Sequence, residues 1–304
     1  MKQIIKKLLF KFKRNVNISK NELELIDTNT SNVISQGMSK VSIVVVTYNN
    51  LELTKDCLRS MEKFNNYSNC EIIIVDNLSQ QDDTRAFLLE YEKTHNNVKV
   101  ILNDINGGFS YGNNIGIKVA TGDYIILLNN DTFVTPSWIE HLIEHFKCDA
   151  SIGMVGPVTN NIGNEAKIDV NYKNTIEMIN FSEKLYKNNK GKQFTDIRVL
   201  AFFCVAIKRE VIEKVGLLDE SFGIGMFEDD DYCERVKKEG YKLICADDVF
   251  IHHHLGATFD KEPPEWKQNL FKRNKAIYET KHGKWIPHKY RKEKLGEKFN
   301  KNRI

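Results

Sequence analysis

Apolar runs alternate with amphipathic segments through the first half of the chain. The runs VSIVVVT, CEIIIVD, VKVILN and DYIILLN are rich in β-branched residues and leucine, which predicts four buried parallel strands. Between them, helical spacing predicts helices over residues 51–64 and 82–94, and a glycine-rich loop that becomes a helix within residues 106–120. Strands that alternate with helices favour an α/β fold with a doubly wound, mostly parallel central sheet flanked by helices.

The second half of the chain carries fewer regular patterns. Residues 137–148 predict a helix, and residues 198–216 predict a strand followed by a helix. Residues 227–254 predict a helix with an acidic start, a stop at Gly240, a strand and a run of histidines. Residues 160–195 are polar and rich in asparagine and lysine, which indicates a mobile loop or an insertion.

Charge divides the 304-residue chain into three parts, although the net charge is only +3. Residues 1–40 carry +5, residues 41–258 carry −10 and residues 259–304 carry +8. Apolar residues also recur at helical spacing between the basic residues near the start of the chain: Ile4, Ile5, Leu8, Leu9, Phe12 and Val16. We therefore predict a basic amphipathic helix with a linker over residues 1–40, an acidic central domain over 41–258, and a basic C-terminal helical tail over 259–304. The acidic domain suits metal ions better than nucleic acid, whereas the N-terminal helix favours either an anionic membrane surface or packing on protein.

The six cysteines include no CxxC pair, which indicates buried free thiols and a reducing, cytoplasmic environment. No stretch reaches the ~18 consecutive apolar residues of a membrane-spanning helix.

Polar residues follow each predicted strand, at the edge where ligands bind in such sheets. They are Thr47, Tyr48, Asn49, Asp76, Asn106, Gly107, Asn129, Asn130 and Asp131. Asp131 at a strand end is suited to Mg²⁺ or Mn²⁺ that bridges a diphosphate, although Asn and Asp also favour plain turns. Asp76 is suited to a base or ribose, or to capping the next helix.

Two further clusters point to chemistry. Residues 228–231 are four consecutive carboxylates, which repel one another and raise the pKa of some members, as a general base requires; a helix N-terminus explains two of them but not four. His252, His253 and His254 close a strand, where one or two of them face the acidic edge as metal ligands or all lie at the surface.

Six motifs occur in a fixed order: VSIVVVTYNN, EIIIVDNLS, NGGFSYGNNIGI, GDYIILLNNDT, FEDDDYCERVKKEGY and IHHHLGATF. Together they resemble family 2 glycosyltransferases with the Rossmann-like GT-A fold, and most closely the rhamnosyltransferase-like bacterial members. The resemblance covers residues 41–258, so it implies a GT-A domain over that range.

The resemblance also implies roles for individual residues. The residues implied to contact the donor are Thr47, Tyr48, Asn49, Asp76, Asn106, Gly107, Phe109, Asn113, Asn129 and Asn130. Asp131 and His253 are implied to bind Mg²⁺ or Mn²⁺, with His252 and His254 open because the register is uncertain by one residue. Asp229, in the pair Glu228-Asp229, is the implied general base.

The implied function is an inverting transfer of a hexosyl or deoxyhexosyl unit from a UDP- or dTDP-sugar to a glycan or lipid-linked saccharide. Such a reaction belongs to bacterial surface polysaccharide synthesis, in the cytoplasm, with peripheral contact at the inner face of the plasma membrane. The alternative is a non-catalytic nucleotide-sugar-binding module of a membrane-associated assembly. A nucleotidyltransferase is disfavoured, because TYNNLELT lacks a glycine-rich, basic loop after the first strand.

Overall fold

The computed structural model of the protein describes residues 23, 24, 26, 38–254 and 263–291. The predicted N-terminal amphipathic helix, most of the linker and the end of the basic tail lie outside the described residues.

Eight strands form one sheet in the order β3–β2–β1–β4–β8–β6–β9–β7, and β5 pairs with β10 separately. The strands are β1 (Val41–Thr47), β2 (Cys70–Asp76), β3 (Val98–Leu102), β4 (Tyr124–Asn129), β5 (Thr132–Phe133), β6 (Ile152–Val158), β7 (Gln193–Phe194), β8 (Cys204–Lys208), β9 (Lys242–Phe250) and β10 (His252–His253). Strands β1 to β4 are mutually parallel where they pair, whereas β8 runs antiparallel to both β4 and β6. The predicted α/β fold with a mostly parallel sheet is confirmed.

Helices flank this sheet. They are α1 (Leu51–Phe64), α2 (Thr84–Thr94), α3 (Gly108–Val119), α4 (Trp138–Cys148), α5 (Thr175–Asn189), α6 (Arg209–Val215), α7 (Glu228–Lys238) and α8 (Pro264–His282). No helix in the described ranges is both long and apolar enough to cross a membrane.

The register of the parallel strands aligns their polar ends. Thr47 pairs with Asp76 across β1 and β2, and Val46 pairs with Asn129 across β1 and β4. The β-branched residues before these ends are buried on both faces, which is why the sheet forms here; each such side chain contributes about 1.5–3 kcal/mol by leaving water. The loops after β1 and β4 therefore start side by side at the same edge of the sheet.

The expectation of a mobile loop over residues 160–195 is wrong. Helix α5 lies within this range, and its start is capped by the Asn174 side chain, which accepts a hydrogen bond from the backbone N–H of Glu177 at 2.8 Å. Met178, Ile179 and Leu185 are buried, so the helix packs its apolar face on the domain, where it contacts β9. The apolar positions are spaced for a helix, but the many intervening polar residues obscure the pattern.

The described part of the basic C-terminal segment packs on the domain. Helix α8 contacts α7 and the short 3₁₀-helix Glu220–Phe222. Phe227, directly before α7, contacts the rings of both Tyr278 and Trp285. All six cysteines are free thiols, and Cys148 is exposed rather than buried.

Candidate active site

A cavity of about 420 Å³ opens at the carboxyl ends of β1 and β4. Its wall combines side chains from strand ends, from the loop before α3, from the start of α7 and from β10. The residues predicted from sequence that line it are Thr47, Tyr48, Asn106, Phe109, Asn129, Asn130, Asp131, Glu228, Asp229 and His253. The structure thus gathers residues from both halves of the chain at one edge of the sheet.

Part of the wall is apolar, and these residues are not among those predicted from sequence. It includes Ile162, Ala201, Phe202, Phe203 and Ile224. The sequence predicts a strand that includes the segment LAFFC, but the strand begins only at Cys204, and Phe202 and Phe203 before it line the cavity. An aromatic pair directly before a buried strand was the available signal, and it is equally typical of core packing.

Asp76 lies behind the cavity rather than in its wall. Its side chain is fully buried, and it accepts hydrogen bonds from the Thr47 hydroxyl at 3.1 Å and from the Ser79 backbone N–H at 3.0 Å. Arg85 lies 3.6 Å from the same carboxylate. Asp76 therefore orients Thr47, which does line the cavity.

Asn49 and Asn113 also hold backbone rather than line the cavity. The Asn49 side-chain oxygen accepts hydrogen bonds from the backbone N–H groups of Gln80 and Gln81, both at 3.0 Å. The Asn113 amide donates to the carbonyl of Phe109 at 2.9 Å. Both residues are buried, so they stabilise the two loops that present the cavity residues.

Gly107 precedes α3 and Gly108 is its first residue, and neither position has room for a side chain. A Cβ atom on Gly107 would lie 2.3 Å from the Tyr111 ring. Gly108 has a φ of +88°, and a Cβ atom there would lie 2.1 Å from the carbonyl oxygen of Gly223. The loop before α3 and the loop before α7 therefore touch backbone to backbone, which only glycine permits.

Asp131 and His253 form the candidate metal pair. The His253 Nε2 atom lies 3.3 Å from Asp131 Oδ1, and the His253 Nδ1 atom lies 3.0 Å from the Asn161 carbonyl oxygen, to which it donates. Asp131 Oδ1 is buried with no hydrogen-bond donor. The hydrogen bond from Nδ1 fixes the orientation of the His253 ring, so that Nε2 lies beside the unsatisfied oxygen of Asp131. This pair of ligand atoms fits a hard divalent cation.

The other two histidines have different surroundings. The His252 Nδ1 atom lies 2.5 Å from the Tyr172 hydroxyl, and burial lowers the pKa of His252 to about 2. His254 Nε2 is buried with no hydrogen-bond partner, and burial lowers its pKa as well. Of the three, His253 is the one that lines the cavity and pairs with Asp131. In the described ranges, no third His, Cys, Asp or Glu completes a metal cluster.

The four consecutive carboxylates divide into two pairs with different partners. Glu228 and Asp229 line the cavity, and the Glu228 Oε2 atom is buried without a hydrogen bond. Asp230 accepts a hydrogen bond from the Trp285 indole at 3.0 Å and lies 3.2 Å from His288 Nε2. The C-terminal segment therefore relieves part of the charge repulsion in the cluster, and the sequence does not predict these contacts.

Asp231 is the most completely paired member of the cluster. It contacts Arg235 at 2.8 Å, Lys281 at 2.9 Å and His282 at 2.8 Å. Burial alone raises its pKa, but the hydrogen bonds from His282 and Lys281 outweigh that effect and hold the pKa of Asp231 below its usual range.

Burial raises the pKa of both Glu228 and Asp229, and the neighbouring carboxylates raise these pKa values further. The positive charge of His288 partly offsets the shift at Asp229. Glu228 is buried, whereas Asp229 is only partly so, which leaves Asp229 as the member that a solvent-borne group can approach. A carboxylate with a raised pKa at the wall of a cavity is suited to accept a proton near neutral pH.

Known proteins resemble this chain over the sheet and its helices. The Glycosyl transferase family 2 model matches residues 42–216. The uncharacterized protein y4gI of Sinorhizobium fredii is 25% identical over 254 residues, which cover 78% of this chain and 27% of that protein. The poly-beta-1,6-N-acetyl-D-glucosamine synthase of Staphylococcus epidermidis is 31% identical over 120 residues, which cover 40% of this chain and 28% of that protein.

A similar fold occurs in a solved structure of the mannosyltransferase PcManGT from Pyrobaculum calidifontis, in complex with GDP-Man and Mn²⁺. The TM-score is 0.58 at 16% identity, covering 89% of this chain and 70% of that chain. The chain thus spans about a quarter of the length of the two sequence relatives above. The family match ends at residue 216, before α7, so the acidic cluster and the histidines lie beyond it.

Proposed function

Because this chain belongs to glycosyl transferase family 2, we propose that it is an inverting, metal-dependent glycosyltransferase. The reaction moves a hexosyl or deoxyhexosyl unit from a nucleoside-diphosphate sugar, UDP- or dTDP-linked, to a hydroxyl group of a glycan or lipid-linked saccharide. A bacterial surface polysaccharide is the proposed product, since one relative is a polysaccharide synthase.

The observation that carries this proposal is the meeting of two unlike sites in one cavity. Asp131 and His253 lie in its wall with an unsatisfied oxygen, and Glu228 and Asp229 lie in the same wall with raised pKa values. A group transfer from a diphosphate needs both: compensation of the leaving negative charge and removal of a proton from the acceptor.

Asp131 and His253 are the residues that would hold Mg²⁺ or Mn²⁺. When bound, the ion would neutralise charge on the departing diphosphate. Mg²⁺ commonly keeps several waters and takes only one or two carboxylates besides substrate phosphates, so two protein ligands suffice. Thr47, Tyr48, Asn129 and Asn130 border the same space and are proposed to orient the nucleotide.

Asp229 is the proposed general base. It takes the proton of the acceptor hydroxyl while that oxygen forms a bond to the anomeric carbon of the donor. The bond from the anomeric carbon to the phosphate oxygen breaks, and both of its electrons leave with the nucleoside diphosphate. One displacement from the opposite face inverts the anomeric configuration, so no covalent enzyme intermediate is needed.

The test is release of nucleoside diphosphate from a panel of UDP-, dTDP- and GDP-sugars, with a panel of saccharide acceptors and with Mn²⁺ or EDTA. We expect release from one donor, dependent on Mn²⁺ and abolished by EDTA. Binding of nucleotide and metal without turnover on any acceptor would instead favour a non-catalytic binding module. If neither metal nor nucleotide bound, the assignment of the cavity would be wrong.

Peripheral contact with anionic lipid at the inner face of the plasma membrane is also proposed, on the basis of the +5 and +8 charges of the two ends. Each basic residue near such a surface contributes about 1 kcal/mol, so vesicles with anionic lipid should retain the protein at low salt and release it at high salt. Equal flotation with neutral vesicles would contradict the proposal.

A further inference from the structure

The backbone before Glu228 is held in an unusual conformation. Gly225, Met226 and Phe227 have φ values of 152°, 75° and 77°, so two consecutive non-glycine residues lie in the left-handed region. Such residues persist only where surrounding contacts hold them, and they concentrate at functional sites. Ile224 and Gly225 of the same loop line the cavity, and α7 starts directly after Phe227.

Asn274, on α8, contacts this loop through its side chain. Its side-chain nitrogen donates to the carbonyl oxygens of Phe222 at 2.8 Å, Gly225 at 2.8 Å and Met226 at 3.0 Å. Asn274 is fully buried. Because all three neighbouring atoms are hydrogen-bond acceptors, the NH₂ group of the Asn274 amide must point toward them. The amide oxygen in that position would be repelled by the three carbonyl oxygens.

Asn274 is itself held in place. Its Oδ1 atom accepts a hydrogen bond from Arg273 at 2.9 Å, and Arg273 donates to the Ser221 carbonyl, also at 2.9 Å. Phe227 packs against the Tyr278 ring, one helical turn further along α8. The left-handed residues leave the loop carbonyls without partners in regular secondary structure. Helix α8 supplies the hydrogen bonds that these carbonyls would otherwise lack.

We propose that Asn274 is a positioning residue: it holds residues 222–227 in the conformation that presents Asp229 to the cavity. The inference rests on the proposed function, because it assigns Asp229 the role of base. Asn274 lies outside the residues matched by the family model and does not itself line the cavity; it reaches the cavity wall through its hydrogen bond to the carbonyl of Gly225. Its influence on the reaction passes through the loop.

If Asn274 positions the base, its loss should lower turnover but leave donor binding unchanged. Thr47, Tyr48 and Asp131 lie at strand ends that the Asn274 side chain does not contact, so nucleotide affinity should survive its loss. A misplaced base, by contrast, slows the transfer step, and displacements of about 1 Å cost on the order of 100-fold. A purely structural role for Asn274 would lower stability without this split.

The experiment compares Asn274→Asp with Asn274→Ala. The aspartate has the same shape and keeps an oxygen for Arg273, but it replaces the donor to three carbonyls by an acceptor. The alanine removes the amide without adding charge, and it serves if the aspartate variant does not fold. Asn164→Asp is the matched control, because Asn164 is buried and its amide donates to a carbonyl, that of Val199, at 3.0 Å.

We expect kcat to fall at least ~10-fold in both Asn274 variants. The Kd of UDP with Mn²⁺, or of the nucleoside diphosphate that the wild type releases, should stay within about threefold. Hydrogen–deuterium exchange should rise in residues 222–231. In Asn164→Asp, kcat should stay within about threefold even if the protein melts earlier.

A folded Asn274→Ala variant with wild-type kcat, or with unchanged exchange over residues 222–231, would overturn the inference. A wild type that binds UDP and Mn²⁺ but turns over no donor would overturn the proposed function instead. In that case the exchange measurement still decides whether Asn274 holds the loop.

Discussion

The two sides of the cavity are built in different ways. On the metal side, Asn129 ends β4 and Asp131 lies two residues beyond it, so the backbone ladder that pairs Val46 with Asn129 sets where this segment starts. On the acidic side, Glu228 and Asp229 follow a left-handed loop that side chains of α8 hold in place. A backbone ladder spreads its support over many bonds, whereas the loop depends on a few buried side chains. Single substitutions should therefore separate the two sides.

The largest effect is expected for Asp229→Asn. Removing a general base lowers kcat by about 10²–10⁴-fold, and the nucleotide with Mn²⁺ should still bind because the metal side is untouched. The measurement is kcat with calorimetric nucleotide binding in parallel. Asp230→Asn is the matched control: its carboxylate faces Trp285 and His288, so its kcat should fall far less.

The assignment of Asp229 as the general base also predicts how activity depends on pH. Asp229 must be ionised to accept a proton, and burial raises its pKa, so activity should fall as the pH decreases through a pKa well above the ordinary aspartate value of about 4. An acid limb at the ordinary value, or equal kcat for Asp229→Asn and Asp230→Asn, would contradict the assignment.

Asp131→Asn should have the next largest effect, on metal affinity rather than on the chemical step. Substituting residues that merely support metal ligands costs about 10–100-fold in affinity, and loss of a ligand should cost at least the upper end of that range. Titration of activity with Mn²⁺ measures it, and high Mn²⁺ should restore part of the rate. His252→Ala, which removes the partner of Tyr172, should leave the Mn²⁺ titration unchanged.

Gly108→Ala tests the contact between the two sides. Its Cβ atom would fall 2.1 Å from the Gly223 carbonyl oxygen, so the loop before α7 must move. We expect kcat to fall on the order of 10-fold and the free energy of unfolding to fall by about 2 kcal/mol, from strain and overpacking together. Gly191→Ala shares the positive φ, at 73°, but has open space, so it should lose stability without loss of kcat.

The remaining effects are on stability rather than on turnover, and they have opposite signs within the acidic cluster. Asp231→Asn removes a buried carboxylate that forms ion pairs with Arg235 and Lys281 and a hydrogen bond with His282, and it should cost about 3 kcal/mol near neutral pH. Because the folded-state pKa of Asp231 is lowered, its contribution is present above the unfolded pKa of about 3.9 and is lost as the pH falls through the folded value.

Glu228 should behave in the reverse manner. Its folded-state pKa is raised, so its contribution is present below the unfolded pKa of about 4.3 and is lost as the pH rises through the folded value. Glu228→Gln should therefore raise the melting temperature by a few degrees at pH 8 and change it little at pH 5. Melting curves at both pH values check this, and a decrease at pH 8 would contradict the raised pKa.

Most of the fold was predictable from local patterns. The β-branched runs located β1 to β4, and the stop at Gly240 separated α7 from β9. Helix α5 was missed because its buried positions are diluted by asparagine and lysine. The capping residue Asn174 was a usable signal, but in a segment already rich in asparagine it did not stand out.

The candidate site was predictable only in part. The ordered motifs located Asp131, Glu228 and Asp229, and strand topology predicted that polar strand ends share one edge. Local sequence could not distinguish Asp229 from Asp230, since four adjacent carboxylates look alike. Trp285 and His288, the partners that distinguish Asp230, lie in a basic segment whose sequence is typical of a solvated tail.

The sequence by itself therefore determined the strands, the edge of the sheet where the site lies and the types of residue available there, because periodicity and turn chemistry act between near neighbours. Only the tertiary structure decided which histidine faces Asp131, which carboxylates are paired and which loop is held in a left-handed conformation. Those outcomes depend on residues that are far apart in the chain but close in space. Burial and charge interactions are set by separation in space, which spacing along the sequence does not give.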